Sequence, residues 1–184
     1  MTRKTAVIGV AVVLAVIAVA AVLLGDDSND LPHVNPRIAE HQNYHQVQYD
    51  AAIVNSWAPE KSDRRVGAYL ESSWHYPADR AAAFTVSSRT ADETDSLAAA
   101  ADLARIQTRK LPDYREHGLK EVALRGIPAV RWSFDLAGAV YVEYFFEECD
   151  IDFVVSGMAP TDIWNELASF FHEMATEVTA KCSE

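Results

Sequence analysis

The pattern of apolar and polar positions splits this chain of 184 residues into a very apolar start and an amphipathic remainder. Ala6 to Leu24 reads AVIGVAVVLAVIAVAAVLL, without a charge, an amide side chain or a proline. As a helix it would be roughly 28 Å long, close to the hydrocarbon thickness of a bilayer. A helix on a soluble core needs only one apolar face, so a helix apolar all round predicts a membrane span. Arg3 and Lys4 precede the run, and Asp26, Asp27 and Asp30 follow it. Positive residues stay on the cytoplasmic side, which places the amino terminus inside and the rest of the chain outside. A cleaved secretory signal is the alternative. Ala18 and Ala20 form an A-x-A pair, but it lies within the apolar run, which is longer than the usual signal core. Either way residues 26–184 are expected to be extracytoplasmic.

Residues 26–36, DDSNDLPHVNP, are polar with two prolines and predict a tether. Residues 37–60 carry two competing signals. Asn35-Pro36 suits a helix start. Yet His45, Val47, Tyr49, Ala51 and Ile53 recur with the period of a strand. From Gly67 the pattern sharpens. Gly67 to Tyr76 and Ala81 to Ser88 predict strands around a turn at Pro77 to Arg80. Thr90 and Glu93 make a capping box for a helix with Ala99, Leu103 and Ile106 facing inward, stopped by Pro112. Four strands follow on short links: Leu119 to Arg125, Val130 to Leu136, Val140 to Glu148 and Phe153 to Gly157. Links this short join antiparallel neighbours. Thr161 is the expected N-cap of a closing helix. Its apolar face runs through Ile163, Leu167, Phe170, Met174, Val178 and Cys182.

This order, β-β-α-β-β-β-β-α, predicts the α+β class: an antiparallel sheet with helices packed on its faces. Three parts are implied, namely an anchor (1–25), a tether with an undecided segment (26–60) and a sandwich domain (61–184). The element order, the W-H-Y-P turn at Trp74 to Pro77, the G-I-P-A-V-R strand entry at Gly126 to Arg131 and the helix after Pro160 together resemble the PsbP-type sandwich. Exported actinobacterial lipoproteins resemble that fold as well. This chain departs from them in lacking a lipidated cysteine and carrying an apolar span. The resemblance covers about residues 65–182. It implies an interaction scaffold and supplies no catalytic residues.

Charge narrows the partners. The chain carries a net charge of −11, and its first 25 residues hold two of the sixteen basic residues and no acid, which leaves the remainder at −13. That disfavours nucleic acid and charge-driven binding to an anionic lipid surface. Cys149 and Cys182 are the two cysteines. Outside the cytoplasm such a pair is expected to form a disulfide, which for a loop of this length is worth on the order of 3 kcal/mol.

Catalytic motifs are absent: there is no G-x-S-x-G, P-loop, G-x-G-x-x-G or H-E-x-x-H. His41 and His45, beside Glu40, would share a face of a helix. A metal site there needs another fixed ligand, and His33 is the only other nearby histidine, so the plainer reading is a polar face without metal. Glu143, Glu147, Glu148, Asp150 and Asp152 lack the spacing of an EF-hand and read as a solvated strand face and hairpin tip. Trp57 and Trp164 are candidate partner contacts, although burial is the commoner fate of tryptophan.

The expectation is a non-catalytic, single-pass accessory subunit of a larger integral membrane complex, needing no cofactor. By analogy with PsbP-type proteins, which serve an energy-converting complex, the resemblance implies a respiratory cytochrome bc–oxidase supercomplex. The alternative is an extracytoplasmic module that binds a small apolar ligand or a secreted partner.

Overall fold

A computed structural model describes residues 41–60, 63–91 and 96–182. The apolar run, the tether (26–36) and residues 37–40 lie outside these residues. Among the described residues no helix is long and apolar enough to cross a membrane.

The described part of the undecided segment, residues 41–60, forms strands: β1 (His41–His45) and β2 (Tyr49–Val54) pair as a hairpin. From His41 onward the strand alternation holds, with Tyr49, Ala51 and Ile53 all facing a buried core, and the helix start expected at Asn35-Pro36 lies outside the described residues. The folded domain therefore includes residues 41–60. Short strands β3 (Ala58–Pro59) and β4 (Arg64–Val66) both lie against β5 (Tyr69–Tyr76), which turns at Pro77-Ala78 into the long β6 (Asp79–Thr90). Helix α1 is Leu97–Thr108. Four long strands follow: β7 (Arg115–Leu124), β8 (Ile127–Leu136), β9 (Ala139–Glu148) and β10 (Ile151–Pro160). Helix α2 (Trp164–Thr176) and strand β11 (Thr179–Ala180) are the last elements of the described residues.

The large sheet is antiparallel, in the order β3-β5-β6-β10-β9-β8-β7, with β4 beside β5. Two-residue turns join β7 to β10 in succession. Arg125-Gly126, Ala137-Gly138 and Cys149-Asp150 all have positive φ at both positions, the geometry that matches the twist of antiparallel strands. A second, three-stranded sheet, β1-β2-β11, lies with α2 on one face of the large sheet. There Trp74, Phe84, Val142, Phe146 and Phe153 meet Leu167, Phe171 and Met174 of α2 and Tyr49 and Ile53 of β2. The other face carries α1. Its Ala101 and Ala104 sit over Val130, Trp132, Phe134, Tyr141 and Phe145.

Both helices differ from their sequence expectation. Thr90 ends β6 opposite Ile151, so it caps nothing. The cap is Ser96, whose hydroxyl accepts from the Ala99 N–H at 3.2 Å. The buried stripe of α1 is Ala101, Ala104 and Thr108, and Ile106 is 53% exposed. The sheet already supplies bulky rings on that side, so small residues let the helix approach. At α2 the Thr161 hydroxyl donates to the Gly138 carbonyl and leaves the helix N-cap to Ile163. The helix stops at Thr176, and Val178 stays in the core while the chain turns into β11. That turn, and not a longer helix, brings Cys182 to Cys149, where they form a disulfide with Cα atoms 5.2 Å apart.

One position fixes how α2 sits. Gly157 lies between Phe84 and Val142 in the sheet, and a Cβ there would stand 2.3 Å from Cγ of Phe171. The contact involves the base of the ring and not a movable tip. We expect Gly157→Ala to cost about 2 kcal/mol by overpacking. Thermal unfolding followed by tryptophan fluorescence should show Tm lowered by about 5 °C, because Trp57 and Trp164 both touch Phe171.

Candidate functional site

The face under α1 is unusual in its polar content. Register places Ser73, Thr85, Ser156, Glu143 and Trp132 side by side on five adjacent strands, β5, β6, β10, β9 and β8. Such cross-strand partners have Cβ atoms about 5 Å apart. Ser73 and Thr85 hydroxyls bond each other at 3.1 Å. Glu143 is 1% exposed, and neither carboxylate oxygen has a hydrogen bond of normal geometry. The Trp132 indole N–H is in the same condition. Burial pushes the Glu143 carboxyl up to about 8, only partly opposed by the nearby Ser156 hydroxyl. The Tyr141 hydroxyl is pushed up to about 12, first by its own burial and then by the charge of Glu143.

The neighbouring acids on this face are treated differently. Glu71 is buried and bound by Arg64. Asp152 is buried and bound by Arg89 at 2.7 Å, and Arg89 also lies over the Tyr69 ring. Glu116, at the edge, accepts from Arg105, Arg109 and Tyr114, and these bonds hold its carboxyl down to about 2. A shallow cleft opens at the start of α1, bordered by Tyr69, Arg89, Leu97, Ala100, Phe145 and Asp152. It shares Phe145 with the surroundings of Glu143, two residues away along β9.

The sequence candidates are scattered by comparison. His41 faces Glu173 at 3.5 Å and His45 bonds Asp50 at 2.8 Å. They lie four residues apart on a strand, about 13 Å, whereas a helix would have brought them together. Glu40 and His33 lie outside the described residues. Among the described residues no group of three or more His, Cys, Asp or Glu side chains is placed to hold a metal. Trp57 is 2% exposed and packs on Tyr76 and Phe171, so it is core and not a partner contact. Trp164 is partly buried, stacked on Phe171 at 5.5 Å. The acidic cluster does not converge: Glu148 bonds Arg125 and the Ala180 N–H, Asp152 bonds Arg89, and Glu143 is buried away from solvent. The sequence reading of Glu143 as a solvated residue fails because β9 is a central strand covered on both faces. The signal was available: Glu143 is the sole charge within Ala139 to Phe146.

No protein-family model matches the chain, and no curated protein matches it in sequence. Solved structures do. Cyanobacterial PsbP (CyanoP) from Synechocystis sp. PCC 6803 superposes with a TM-score of 0.61 at 12% identity, over 86% of this chain and 99% of that one. A Pseudomonas aeruginosa protein of unknown function, described as a putative regulator, gives 0.54 at 14% identity over 78% and 99%. LpqN of Mycobacterium tuberculosis, described as involved in cell envelope biogenesis, gives 0.49 at 16% over 78% and 92%. The chain thus has a PsbP-like α+β sandwich fold.

Glu143 gives a direct test of the site. A carboxyl raised to about 8 holds a proton in the folded chain that the unfolded chain releases near 4.5. Folded stability therefore falls as pH rises from about 4.5 to 8, by an amount on the order of 3 kcal/mol. We expect Glu143→Gln to flatten that slope and to raise Tm at pH 8 by about 5 °C or more. Thermal unfolding across that pH range checks it. An unchanged slope would place the charge elsewhere.

Proposed function

We propose that this chain is a non-catalytic accessory subunit, held at the membrane by residues 6–24 and placing its PsbP-like domain on the extracytoplasmic side. The observation that carries this reading is the commitment of the reactive side chains. The two cysteines are joined to each other. His41, His45 and His117 face Glu173, Asp50 and Asp135. His75 bonds the Arg80 carbonyl and His172 bonds the Tyr144 hydroxyl. Among the described residues these are structural pairs in separate parts of the fold, not a nucleophile with its base. The apolar run supports the membrane placement, and the PsbP-like fold supports an interaction role. A respiratory cytochrome bc–oxidase assembly is the finer form of the proposal. It rests on analogy with the PsbP-type family.

Purification from native membranes in mild detergent through a tag after Glu184, with mass spectrometry and an absorption spectrum, tests both levels. We expect integral membrane subunits in fixed ratio, with haem bands for the respiratory form. A fixed-ratio complex without haem would overturn the respiratory form alone. A chain recovered without stoichiometric partners would overturn the accessory reading.

A further inference from the structure

Three buried acids lie on the α1 face among the described residues: Glu71, Asp152 and Glu143. Arg64 answers Glu71 and Arg89 answers Asp152. Glu143, as deeply buried as either, has no cation. Its surroundings are specific. Along β9 the side chains on the same face are those of Tyr141 and Phe145, and directly across are Trp132 and Ser156. A carboxylate walled by tryptophan, tyrosine and phenylalanine is the composition that binds organic ammonium ions. The rings offer their negative faces and the carboxylate offers charge and hydrogen-bond acceptance.

We propose that Glu143, Trp132, Tyr141 and Phe145 form a binding site for the ammonium group of a small amine or of a lipid headgroup. The site is independent of the accessory-subunit reading. Helix α1 is its movable wall. It contributes Ala101 and Ala104 to the core and turns Ile106 to solvent, so it buries little side-chain surface. Elements with few buried apolar contacts open first. Its C-terminal end is held by Arg105 and Arg109 on Glu116. The cleft at its N-terminal end leads towards Phe145. The other charged groups of this face, Glu71, Asp152, Glu116 and their arginines, are already paired, and His75 bonds the Arg80 carbonyl. The incoming cation is therefore directed to Glu143.

The test uses the full chain in non-ionic detergent, titrated with ethylammonium and with tetramethylammonium, and the full chain in nanodiscs of phosphatidylethanolamine or of phosphatidylglycerol. Tryptophan fluorescence and hydrogen exchange of α1 report binding. We expect a saturable response to the soluble amines if the source is a free amine. A response confined to phosphatidylethanolamine discs identifies a headgroup. Glu143→Gln should weaken either response about thirtyfold or more, since it removes one partner of a buried charge pair. Trp132→Phe, which keeps a ring, should retain binding. Apparent affinity should rise about tenfold per pH unit from about pH 6 to 8, because the cation binds the ionised carboxylate. No response to any probe, or an equal response in Glu143→Gln that melts as a folded chain, would overturn the proposal.

Discussion

Phe171 rests in the notch that Gly157 leaves in the centre of the large sheet, and much of the architecture hangs on that contact. Gly157 is flanked by Phe84 and Val142 on neighbouring strands, so the missing side chain makes a hole among large ones. The ring filling it is held from both sides by Trp57 and Trp164. Those residues come from two distant parts of the chain: Trp57 from the segment after β2, and Trp164 and Phe171 from α2. With α2 seated there, the residues after Thr176 are delivered to the edge of the small sheet. Thr179 and Ala180 pair with Asp50 and Tyr49, and Lys181 donates its backbone N–H to the Gln48 carbonyl. The disulfide then joins the end of that segment to the β9–β10 turn. Glu148 reinforces the joint by accepting from both Arg125 and the Ala180 N–H. One aromatic contact and one covalent bond thus close the same face from opposite ends.

Central strands explain where the sequence was legible and where it misled. Strand β8 alternates cleanly, since Arg131 and Asp135 fall on its more accessible side, and its inward face is read directly from Val130, Trp132, Phe134 and Leu136. Strands β9 and β10 bury both faces. Alternation there separates two cores and not a core from solvent, and an acid is no longer a mark of exposure. Glu143 was misread for this reason. The helices erred through local ambiguity. Thr90 and Ser96 both offer a hydroxyl ahead of the alanine-rich stretch, and only pairing of Thr90 with Ile151 decides between them. In the closing segment Val178 and Cys182 fall in phase with a helix and yet lie beyond its end, on either side of the short strand β11. Both are buried or bonded for reasons that tertiary structure sets, and period alone does not distinguish the two paths.

The two faces of the sheet are closed by different physics. Towards α2 the seal is aromatic packing backed by a disulfide, and the polar groups there are mostly peripheral. Towards α1 the seal is a helix of small residues resting on rings, held at its edge by arginines on Glu116. Ion pairs at a partly exposed edge contribute modestly and are screened by salt. The second face is therefore the weaker one, and it is also where the chain places its buried polar row. A purely structural solution would fill the middle of β9 with an apolar residue, since a lone buried carboxylate opposes folding at neutral pH. The destabilising group and the loosely held cover occupy the same face. That pairing is what a binding site needs, because the cost of Glu143 falls when a cation arrives and the wall that must move for entry is the one with least to lose by moving.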